Sequence, residues 1–354
     1  MDQTTLDKTV PVRVGEELDL RKLNTYLIDQ ASVVGEIVGI TQFPGGYSNL
    51  TYCLQTDTKE FVLRCPPHGA NIKSAHDMGR EFRVLSLLKG NYELIPDPII
   101  YCESPEIIGA PFYIMQKING TILRAANAVK MNLAPEVHKS ISESLIDNLV
   151  VLHGLDISKT GIIQLGKPEG YAARQVEGWI KRYYNSETDK LTEMDETAEW
   201  LRKNIALDQP AVFLHNDYKH DNVVLDPTNL SRILAVLDWE MSTVGDPLMD
   251  LGATLAYWAE AGDDDAMKQF NLTWLAGNLN RREVIERYAL KSGRDVSNIL
   301  FYYIFGLYKN AVIAQQIYAR WKQGLTKDPR FGQLLFVIRS LSGRMVGAIE
   351  TEKI

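Results

Sequence analysis

The stretch of sequence that decides the fold lies beyond the middle of the chain, is almost entirely polar, and reads His215-Asn216-Asp217-Tyr218-Lys219-His220-Asp221-Asn222. An apolar run from Ile233 to Leu237 follows it and ends directly before Asp238. Both lie in a strand-like island, residues 212–238, between segments whose apolar residues recur at helical spacing. The pattern predicts a short loop that carries an aspartate and an asparagine, and a strand that leads to a second aspartate.

Asp217, Asn222 and Asp238 together provide what the transfer of a phosphoryl group requires. Its transition state spreads negative charge over the phosphoryl oxygens, so a protein must hold Mg²⁺ there and orient the attacking hydroxyl. Mg²⁺ prefers oxygen ligands and usually takes only one or two carboxylates from the protein. We therefore predict that Asp217 orients the acceptor hydroxyl and accepts its proton, while Asn222 and Asp238 hold Mg²⁺. The alternative is a surface loop in which such residues cap turns.

Length and charge limit the classes of protein to consider. The chain has 354 residues, which predicts two domains or lobes rather than one small core. Hydrophobic residues make up 45% and charged residues 23%, as is ordinary for a soluble globular protein. The formal net charge is −7, whereas a protein that binds nucleic acid needs a cationic surface to offset phosphates. We therefore expect no nucleic-acid partner.

Neither a membrane nor a disulfide framework is indicated. No segment reaches the about 18 apolar residues of a membrane span, and the polar start, MDQTTLDKTV, is unlike a signal peptide. We expect a cytoplasmic protein with no membrane partner, and nothing in the sequence indicates an oligomeric state. Cys53, Cys65 and Cys102 are widely spaced, which predicts small buried side chains rather than disulfides or a zinc site.

The N-terminal and C-terminal parts of the chain differ in their hydrophobic patterns, and we predict two lobes, at 1–118 and 119–354. Short β-branched and aromatic runs separated by turn signals predict an antiparallel arrangement of strands. These strands are predicted at 34–42, 48–56, 60–65, 97–103 and 111–118, with one helix near 74–90. Helical periodicity predicts the later helices at 135–155, 169–186, 193–206, 246–261, 263–276, 281–292, 297–322 and 329–349.

The spacing His-x-Asp-x-x-x-x-Asn resembles the catalytic loop of the kinase superfamily, specifically its aminoglycoside phosphotransferase and choline kinase branch. Asp238-Trp239-Glu240 stands where protein kinases have Asp-Phe-Gly, and residues 245–251 resemble the segment that opens the next helix. The chain is similar, over about residues 30–320, to phosphotransferase-like proteins related to the kinase domain fused to acyl-CoA dehydrogenases. The resemblance implies an α+β, protein kinase-like bilobal fold with an antiparallel sheet and one helix in the N-lobe. It also implies a mainly helical C-lobe.

The same resemblance implies supporting roles around the loop. His215 is expected to support the loop through hydrogen bonds rather than to catalyse. Asp246 resembles a helix N-cap with Pro247 at the first helical position, and Asp250 is expected to brace the loop. Lys219 is expected to neutralise a phosphate, the alternative being a solvated lysine.

The resemblance implies that ATP, as its magnesium complex, binds in the N-lobe. The loop after the first strand carries Gly45, Gly46, Ser48 and Asn49, and it is either a phosphate-binding loop or an ordinary hairpin turn. Arg64 stands where the family places a lysine, and Glu81 is its expected partner; a guanidinium keeps the charge but has a different geometry. The adenine is expected against the backbone of Gln116 and Ile118. Met115 lies either behind the base or in the core.

The expected partner is a small molecule with a hydroxyl group, bound among the C-lobe helices. Trp179, Arg182 and Tyr183 share one helix face. Four further candidates are predicted to contact the acceptor or to lie beside the metal: Trp239, Glu240, Tyr257 and Tyr308. Because the set is aromatic with some arginine, it favours an amphipathic or anionic acceptor over a polycationic antibiotic. The relatives linked to acyl-CoA dehydrogenases point toward hydroxyacyl thioesters.

Two other functions are compatible with the same residues. A pseudokinase that binds nucleotide or metabolite without turnover is supported by Arg64 alone. A magnesium-dependent phosphohydrolase with an aspartyl nucleophile is a third possibility, but Asp217 lacks the second aspartate two residues later that such enzymes often use. The intact set of Asp217, Asn222 and Asp238 favours a phosphotransferase.

Overall fold

The computed structural model describes residues 8–44, 49–67, 77–269, 271–326 and 328–354. The chain divides into two compact units. The first comprises Met1–Ile122, Val223–Asn229 and Ile233–Met241, and the second comprises Leu123–Asn222, Leu230–Arg232 and Ser242–Ile354. Within the described ranges, no helix is both long and apolar enough to cross a membrane.

A five-stranded antiparallel sheet forms the centre of the first unit. Its strands, β1 (Gly39–Gln42), β2 (Leu50–Gln55), β3 (Glu60–Cys65), β4 (Pro98–Cys102) and β5 (Phe112–Gln116), lie in the order β1-β2-β3-β5-β4. Helix α2 (Met78–Leu88) lies between β3 and β4 in the chain. The register places Thr51, Arg64 and Tyr113 side by side on β2, β3 and β5. The predicted sheet and its single inserted helix are therefore present; β3 has the predicted bounds, and the other elements are shorter than expected.

An additional helix, α1 (Leu20–Gln30), precedes the sheet and was not predicted. Its N-cap Asp19 accepts hydrogen bonds from two backbone N–H groups, and Leu23 and Leu27 are buried in the core of the unit. The predicted strand 34–42 is wrong over residues 34–38. There the Asn24 side chain bonds both the N–H and the carbonyl of Ile37, so this backbone is satisfied by α1 rather than by a neighbouring strand.

The segment after Asn222 belongs mostly to the first unit. Strands β7 (Val223–Asp226) and β8 (Asn229–Val236) form an antiparallel hairpin that belongs to this unit except for Leu230–Arg232. The hairpin is joined to the rest of the unit by pairing of Thr121 with Leu225. Gly120 makes this possible, because a Cβ there would lie 2.6 Å from the Leu225 carbonyl oxygen. The strand that leads to Asp238 is thereby fixed in the first unit.

The second unit is mainly helical. Its helices are α3 (Ala125–Met131), α4 (Pro135–His153), α5 (Tyr171–Ser186), α6 (Thr192–Lys203), α7 (Pro247–Tyr257), α8 (Asp265–Lys268), α9 (Arg281–Ser292), α10 (Ile299–Lys322) and α11 (Leu334–Thr351). A two-stranded sheet pairs β6 (Val212–Leu214) with β9 (Thr243–Gly245). Most of α10 is buried, and it packs against α5, α7 and α11. Gly252 and Gly306 lie where α7 and α10 approach so closely that neither position has room for a Cβ.

Two predicted helices of this unit need correction. The helix expected at 263–276 is reduced to the single turn of α8. Downstream of it, Asn271 and Thr273 use their side chains to bond the carbonyls of Tyr257 and Ala259, which ties this segment to the end of α7 instead of to its own helix. The helix expected at 329–349 begins as a 3₁₀ turn, Pro329–Gln333, before α11. The other predicted helices of the unit are present, whereas α3 was not predicted.

Candidate active site

The loop between β6 and β7 brings Asp217, Lys219 and Asn222 together. Asn222 donates its Nδ2 to the backbone carbonyl of Asp217 at 2.8 Å and to its carboxylate Oδ2 at 2.9 Å. Lys219 Nζ lies 3.1 and 3.0 Å from the two carboxylate oxygens of Asp217. His215, Asn216 and Asn222 are buried, so this loop is not the exposed turn of the alternative interpretation.

Asp250 braces the loop from α7, as predicted. One carboxylate oxygen accepts the N–H of His215 at 2.7 Å, and the other accepts the N–H of Asn216 at 2.7 Å. His153 Nε2 lies 3.2 Å from the same carboxylate. The N–H of Asp217 donates to His215 Nδ1 at 3.2 Å, so His215 supports the loop through a hydrogen bond. The start of α7 is fixed in turn by its N-cap, Asp246, which accepts the N–H of Leu248 at 2.8 Å and confirms the predicted cap.

The charges around Asp217 keep it ionised. Burial alone would raise the pKa of its carboxyl, but Lys219 and Lys309 outweigh burial and lower that pKa below its usual range. Burial would also lower the pKa of Lys219, but Tyr257 and Asp217 outweigh it and raise that pKa. The Lys219 ammonium lies 4.3 Å from the centroid of the Tyr257 ring. Asp217 is therefore available as a proton acceptor at neutral pH, next to a permanent positive charge.

In the first unit, Arg64 lies between two carboxylates. Its Nη1 contacts Glu81 Oε1 at 2.5 Å, and its Nη2 contacts Asp238 Oδ1 at 3.3 Å. Glu81 is buried on α2 and also accepts the backbone N–H of Trp239 at 3.3 Å. The expected pairing of Arg64 with Glu81 is present in the structure, and it extends to the predicted metal ligand.

Asp238 has the left-handed backbone conformation, with a φ of 67°, which is uncommon for a residue other than glycine. Such conformations persist where the surroundings hold them, and they cluster at functional sites. The next residue, Trp239, helps to fix this backbone conformation, because it is buried and its Nε1 donates to the carbonyl of Val236 at 3.0 Å. Glu240 accepts the side-chain amide of Asn49 at 3.0 Å. Trp239 therefore anchors Asp238, whose side chain is 32% exposed.

Asn222 and Asp238 each present an oxygen atom of the kind that binds magnesium. The amide nitrogen of Asn222 is occupied by Asp217, and within the described ranges no hydrogen bond reaches its amide oxygen. Arg64 contacts only one carboxylate oxygen of Asp238. Both residues thus present an oxygen, the donor type that Mg²⁺ prefers. Asn222 belongs to the second unit and Asp238 to the first.

The predicted nucleotide-binding residues are only partly described. Gly45, Gly46 and Ser48 lie outside the described residues, and Asn49 is buried next to β2. The backbone N–H of Gln116 already donates to the Asp97 carbonyl at 2.8 Å. Ile118 packs beside the small apolar cluster around the β7–β8 hairpin. The adenine contacts assigned to Gln116 and Ile118 stay predictions.

The predicted acceptor residues of α5 and α10 are mostly buried. Tyr183 and Tyr308 form an edge-to-face pair with ring centroids 6.1 Å apart. Trp179 is also buried, and the exposed Arg182 lies over its ring at 4.6 Å from the centroid. Only this stacked pair combines an aromatic side chain with an exposed charge among the residues proposed on α5. A role in acceptor binding stays a prediction for the whole set.

Lys309 is the functional candidate that sequence reasoning missed. It lies in the middle of α10, is buried, and donates its Nζ to the carbonyl oxygen of Asn216 at 2.5 Å. The sequence held a signal for it, because Lys309 is the single charged residue between Ile299 and Ala319. A lone charge in an otherwise apolar helix is costly to bury unless it has a specific partner.

The fold and the geometry of the loop define a phosphotransferase of the kinase-like class. A family model described as the phosphotransferase enzyme family matches residues 39–286, and the chain belongs to that family. The predicted family relationship and the predicted kinase-like fold are both confirmed.

Three comparisons illustrate the relationship. Acyl-CoA dehydrogenase family member 11 of Rattus norvegicus is 33% identical over 92% of this chain but only 42% of its own length. The chain thus spans about two fifths of that relative. A solved structure from Ralstonia eutropha JMP134, assigned as an aminoglycoside phosphotransferase, is 26% identical, covers 94% of this chain and 99% of its own, and superposes with a TM-score of 0.77. The streptomycin–ATP–APH(2")-IIa ternary complex is 16% identical, covers 84% and 90%, and has a TM-score of 0.56.

Proposed function

We propose that this protein transfers the γ-phosphate of ATP, bound as its magnesium complex, to the hydroxyl group of a small molecule. The observation that carries the proposal is the hydrogen-bonded arrangement of Asp217, Asn222 and Lys219 on one loop of a family phosphotransferase. The use of ATP is supported by the ATP-bound state of a structure with the same fold.

Asp217 is the residue that handles the proton. Its lowered pKa keeps the carboxylate ionised, so it accepts a hydrogen bond from the acceptor hydroxyl and then takes the proton as the oxygen attacks phosphorus. The Asn222 amide fixes the orientation of that carboxylate. Lys219 pairs with Asp217, and its role in the proposal is to contact a phosphoryl oxygen, which its permanent charge and flexible stem allow.

Asn222 and Asp238 would hold Mg²⁺ through their oxygen atoms. The ion, when bound, neutralises charge on the phosphate oxygens. Arg64 contributes the positive charge in the first unit, where kinases have a lysine, and Glu81 orients it. The guanidinium is held by carboxylates on two sides, which restricts its rotation and directs its remaining donors.

The acceptor class we favour is an amphipathic or anionic hydroxyl compound, with hydroxyacyl-CoA thioesters as the first candidates. One support is the similarity to a protein named as an acyl-CoA dehydrogenase family member. A second is the exposed Arg182 stacked on Trp179, which offers a cation and an apolar surface together. A polycationic antibiotic would be repelled by that arginine.

The experiment is an acceptor screen. The protein is incubated with Mg-ATP and one compound at a time, chosen from hydroxyacyl-CoA thioesters, free hydroxy acids, choline, homoserine and sugars. ADP release is measured together with the mass of the acceptor. We expect one class to gain a phosphoryl group with matching ADP release. ADP release that is the same with every acceptor and with none would contradict transfer to a small-molecule hydroxyl.

One observation favours a second candidate, a nucleotide-binding protein without turnover. Arg64 replaces the usual lysine and contacts the predicted metal ligand Asp238 directly. If that contact persisted with nucleotide bound, it would withdraw an oxygen of Asp238 from the metal. Calorimetry that shows nucleotide binding with no dependence on Mg²⁺, combined with no phosphorylated acceptor in the screen, would favour this candidate.

A further inference from the structure

The inference concerns Lys309 and the peptide bond between Asn216 and Asp217. The carbonyl oxygen of this peptide accepts a hydrogen bond from the Lys309 ammonium at 2.5 Å. The N–H of the same peptide donates to His215 Nδ1 at 3.2 Å. Both polar atoms of the peptide that leads into the catalytic aspartate are thus held by side chains. Neither is part of a helix or strand.

The other polar groups of Asn216 also make hydrogen bonds. Its backbone N–H donates to Asp250 at 2.7 Å, and its side-chain Nδ2 donates to the Tyr171 hydroxyl at 3.1 Å. Tyr171, Asp250 and Lys309 belong to three different helices, α5, α7 and α10. Asn216 has a φ of 65°, in the left-handed region, where few residues other than glycine lie without support. The three helices together stabilise this conformation, which sets the direction in which the chain enters Asp217.

The ammonium of Lys309 lies among charged groups, although the packing of α10 does not require a charge at this position. The groups that face its ammonium are the carboxylates of Asp217 and Asp250, the cations Lys219 and Arg182, and the ring of Trp179, whose centroid is 5.8 Å away. Burial lowers the pKa of Lys309 to about 8 despite the two carboxylates. An apolar side chain would fill the same place in α10 without that desolvation.

We infer that Lys309 is a positioning residue of the catalytic loop: it fixes the Asn216 carbonyl and so orients Asp217, and it adds a second positive charge beside the Asp217 carboxylate. The inference rests on the proposed function for its catalytic consequence. The structural half, that Lys309 stabilises the left-handed turn at Asn216, stands on the geometry alone. A residue that only filled space in α10 would leave the loop unchanged when replaced by an apolar side chain of similar size.

The test compares Lys309→Met, Lys309→Arg and a control, Lys322→Met, in the full chain. Lys322 lies on the same helix, is exposed and pairs with Asp189 at the surface. Amide hydrogen exchange is measured for peptides covering residues 214–220 and, separately, for the rest of α10. We expect Lys309→Met to increase exchange in 214–220 by about tenfold or more, since it removes a buried charge-assisted hydrogen bond. Lys309→Arg should recover part of the protection, and Lys322→Met should match the wild type.

Thermal unfolding is measured on the same samples. The midpoints show whether each variant is folded at the temperature of the exchange measurement. With an acceptor from the screen, kcat should fall about a hundredfold while KM changes less than about threefold, because orientation of Asp217 affects the reaction step.

Unchanged exchange in 214–220 for a folded Lys309→Met protein overturns the inference. If this variant does not fold, Lys309→Leu, which also lacks a hydrogen-bond donor, takes its place under the same criterion. Altered exchange together with unchanged kcat would overturn the catalytic half. A wild-type protein that transfers phosphate to no acceptor would count against the proposed function, while the exchange result would still decide the role of Lys309.

Discussion

Arg64 Nη2 lies 3.3 Å from Asp238 Oδ1, so the arginine that replaces the usual lysine of the family contacts the predicted metal ligand directly. The same guanidinium pairs with the buried Glu81. Removing a partner from a buried ion pair leaves an uncompensated charge, and this is far more costly than losing an exposed pair. Besides the role in phosphate binding that we propose for it, Arg64 is therefore expected to contribute to stability.

We predict that Arg64→Ala lowers the free energy of unfolding by about 3 kcal/mol, because Glu81 is left buried without its cation. Urea denaturation of the purified protein measures this change. The matched control is Lys89→Ala, which removes a lysine from an exposed pair with Asp97 in the same unit and should cost less than about 1 kcal/mol. Equal effects of the two substitutions would show that the Arg64–Glu81 pair is not important for stability.

Asp238 is expected to make nucleotide binding depend on magnesium. Asp238→Ala should weaken binding of Mg-ATP about tenfold or more and should abolish the difference between titrations with Mg²⁺ and with EDTA, because a carboxylate ligand is lost. Isothermal titration calorimetry under both conditions measures this. Asp226→Ala, on the β7–β8 hairpin, is the control and should bind like the wild type. An Asp238→Ala protein that keeps the full magnesium effect would remove this residue from the metal site.

Asp250 should be needed for the fold of the loop. Its carboxylate accepts two buried backbone N–H groups, of His215 and Asn216, and contacts His153. Asp250→Ala leaves these donors without an acceptor, and we predict a loss of about 3–5 kcal/mol in the free energy of unfolding. Denaturation measured by circular dichroism tests the prediction. A loss below about 1 kcal/mol would mean that water replaces the carboxylate and that Asp250 is not a brace.

Burial of Lys309 should make the free energy of unfolding depend on pH. Its pKa is lowered from 10.5 to about 8, so between these values the unfolded chain holds a proton that the folded chain has lost. Raising the pH through this window therefore stabilises the wild type relative to Lys309→Met, by up to about 1.4 kcal/mol per pH unit. Urea denaturation of both proteins at pH 7, 8, 9 and 10 measures the difference. If the wild type and Lys309→Met differed in the free energy of unfolding by the same amount at every pH, the prediction of a lowered pKa for Lys309 would be wrong.

The sequence predicted the parts of the site that lie close together in the chain. Asp217, Lys219 and Asn222 share one short loop, so their spacing alone is enough to predict that they meet. The N-cap at Asp246 was also predicted from neighbouring residues, because an aspartate followed by a proline, before an apolar segment with helical periodicity, indicates the start of a helix. Strands β2 and β3 were found for the same reason, since turn residues and β-branched runs mark them.

Features that depend on distant parts of the chain were missed. The contact of Lys309 with Asn216 joins residues that are far apart in sequence, and no local pattern encodes it. The loss of the helix expected at 263–276 follows from side chains that bond the end of α7. The return of the β7–β8 hairpin to the first unit depends on the pairing of Thr121 with Leu225. Helix α1 is different, because Asp19 followed by Leu20, Leu23 and Leu27 was a local signal that was overlooked.

The most direct test of the central claim compares the wild type with Asp217→Asn, using Mg-ATP and an acceptor identified by the screen. Binding of Mg-ATP is measured by calorimetry, and formation of the phosphorylated acceptor by mass spectrometry. We predict binding within about threefold of the wild type and transfer slower by about a thousandfold, since the amide keeps the shape but cannot accept the proton. Transfer by Asp217→Asn at the rate of the wild type would contradict the account.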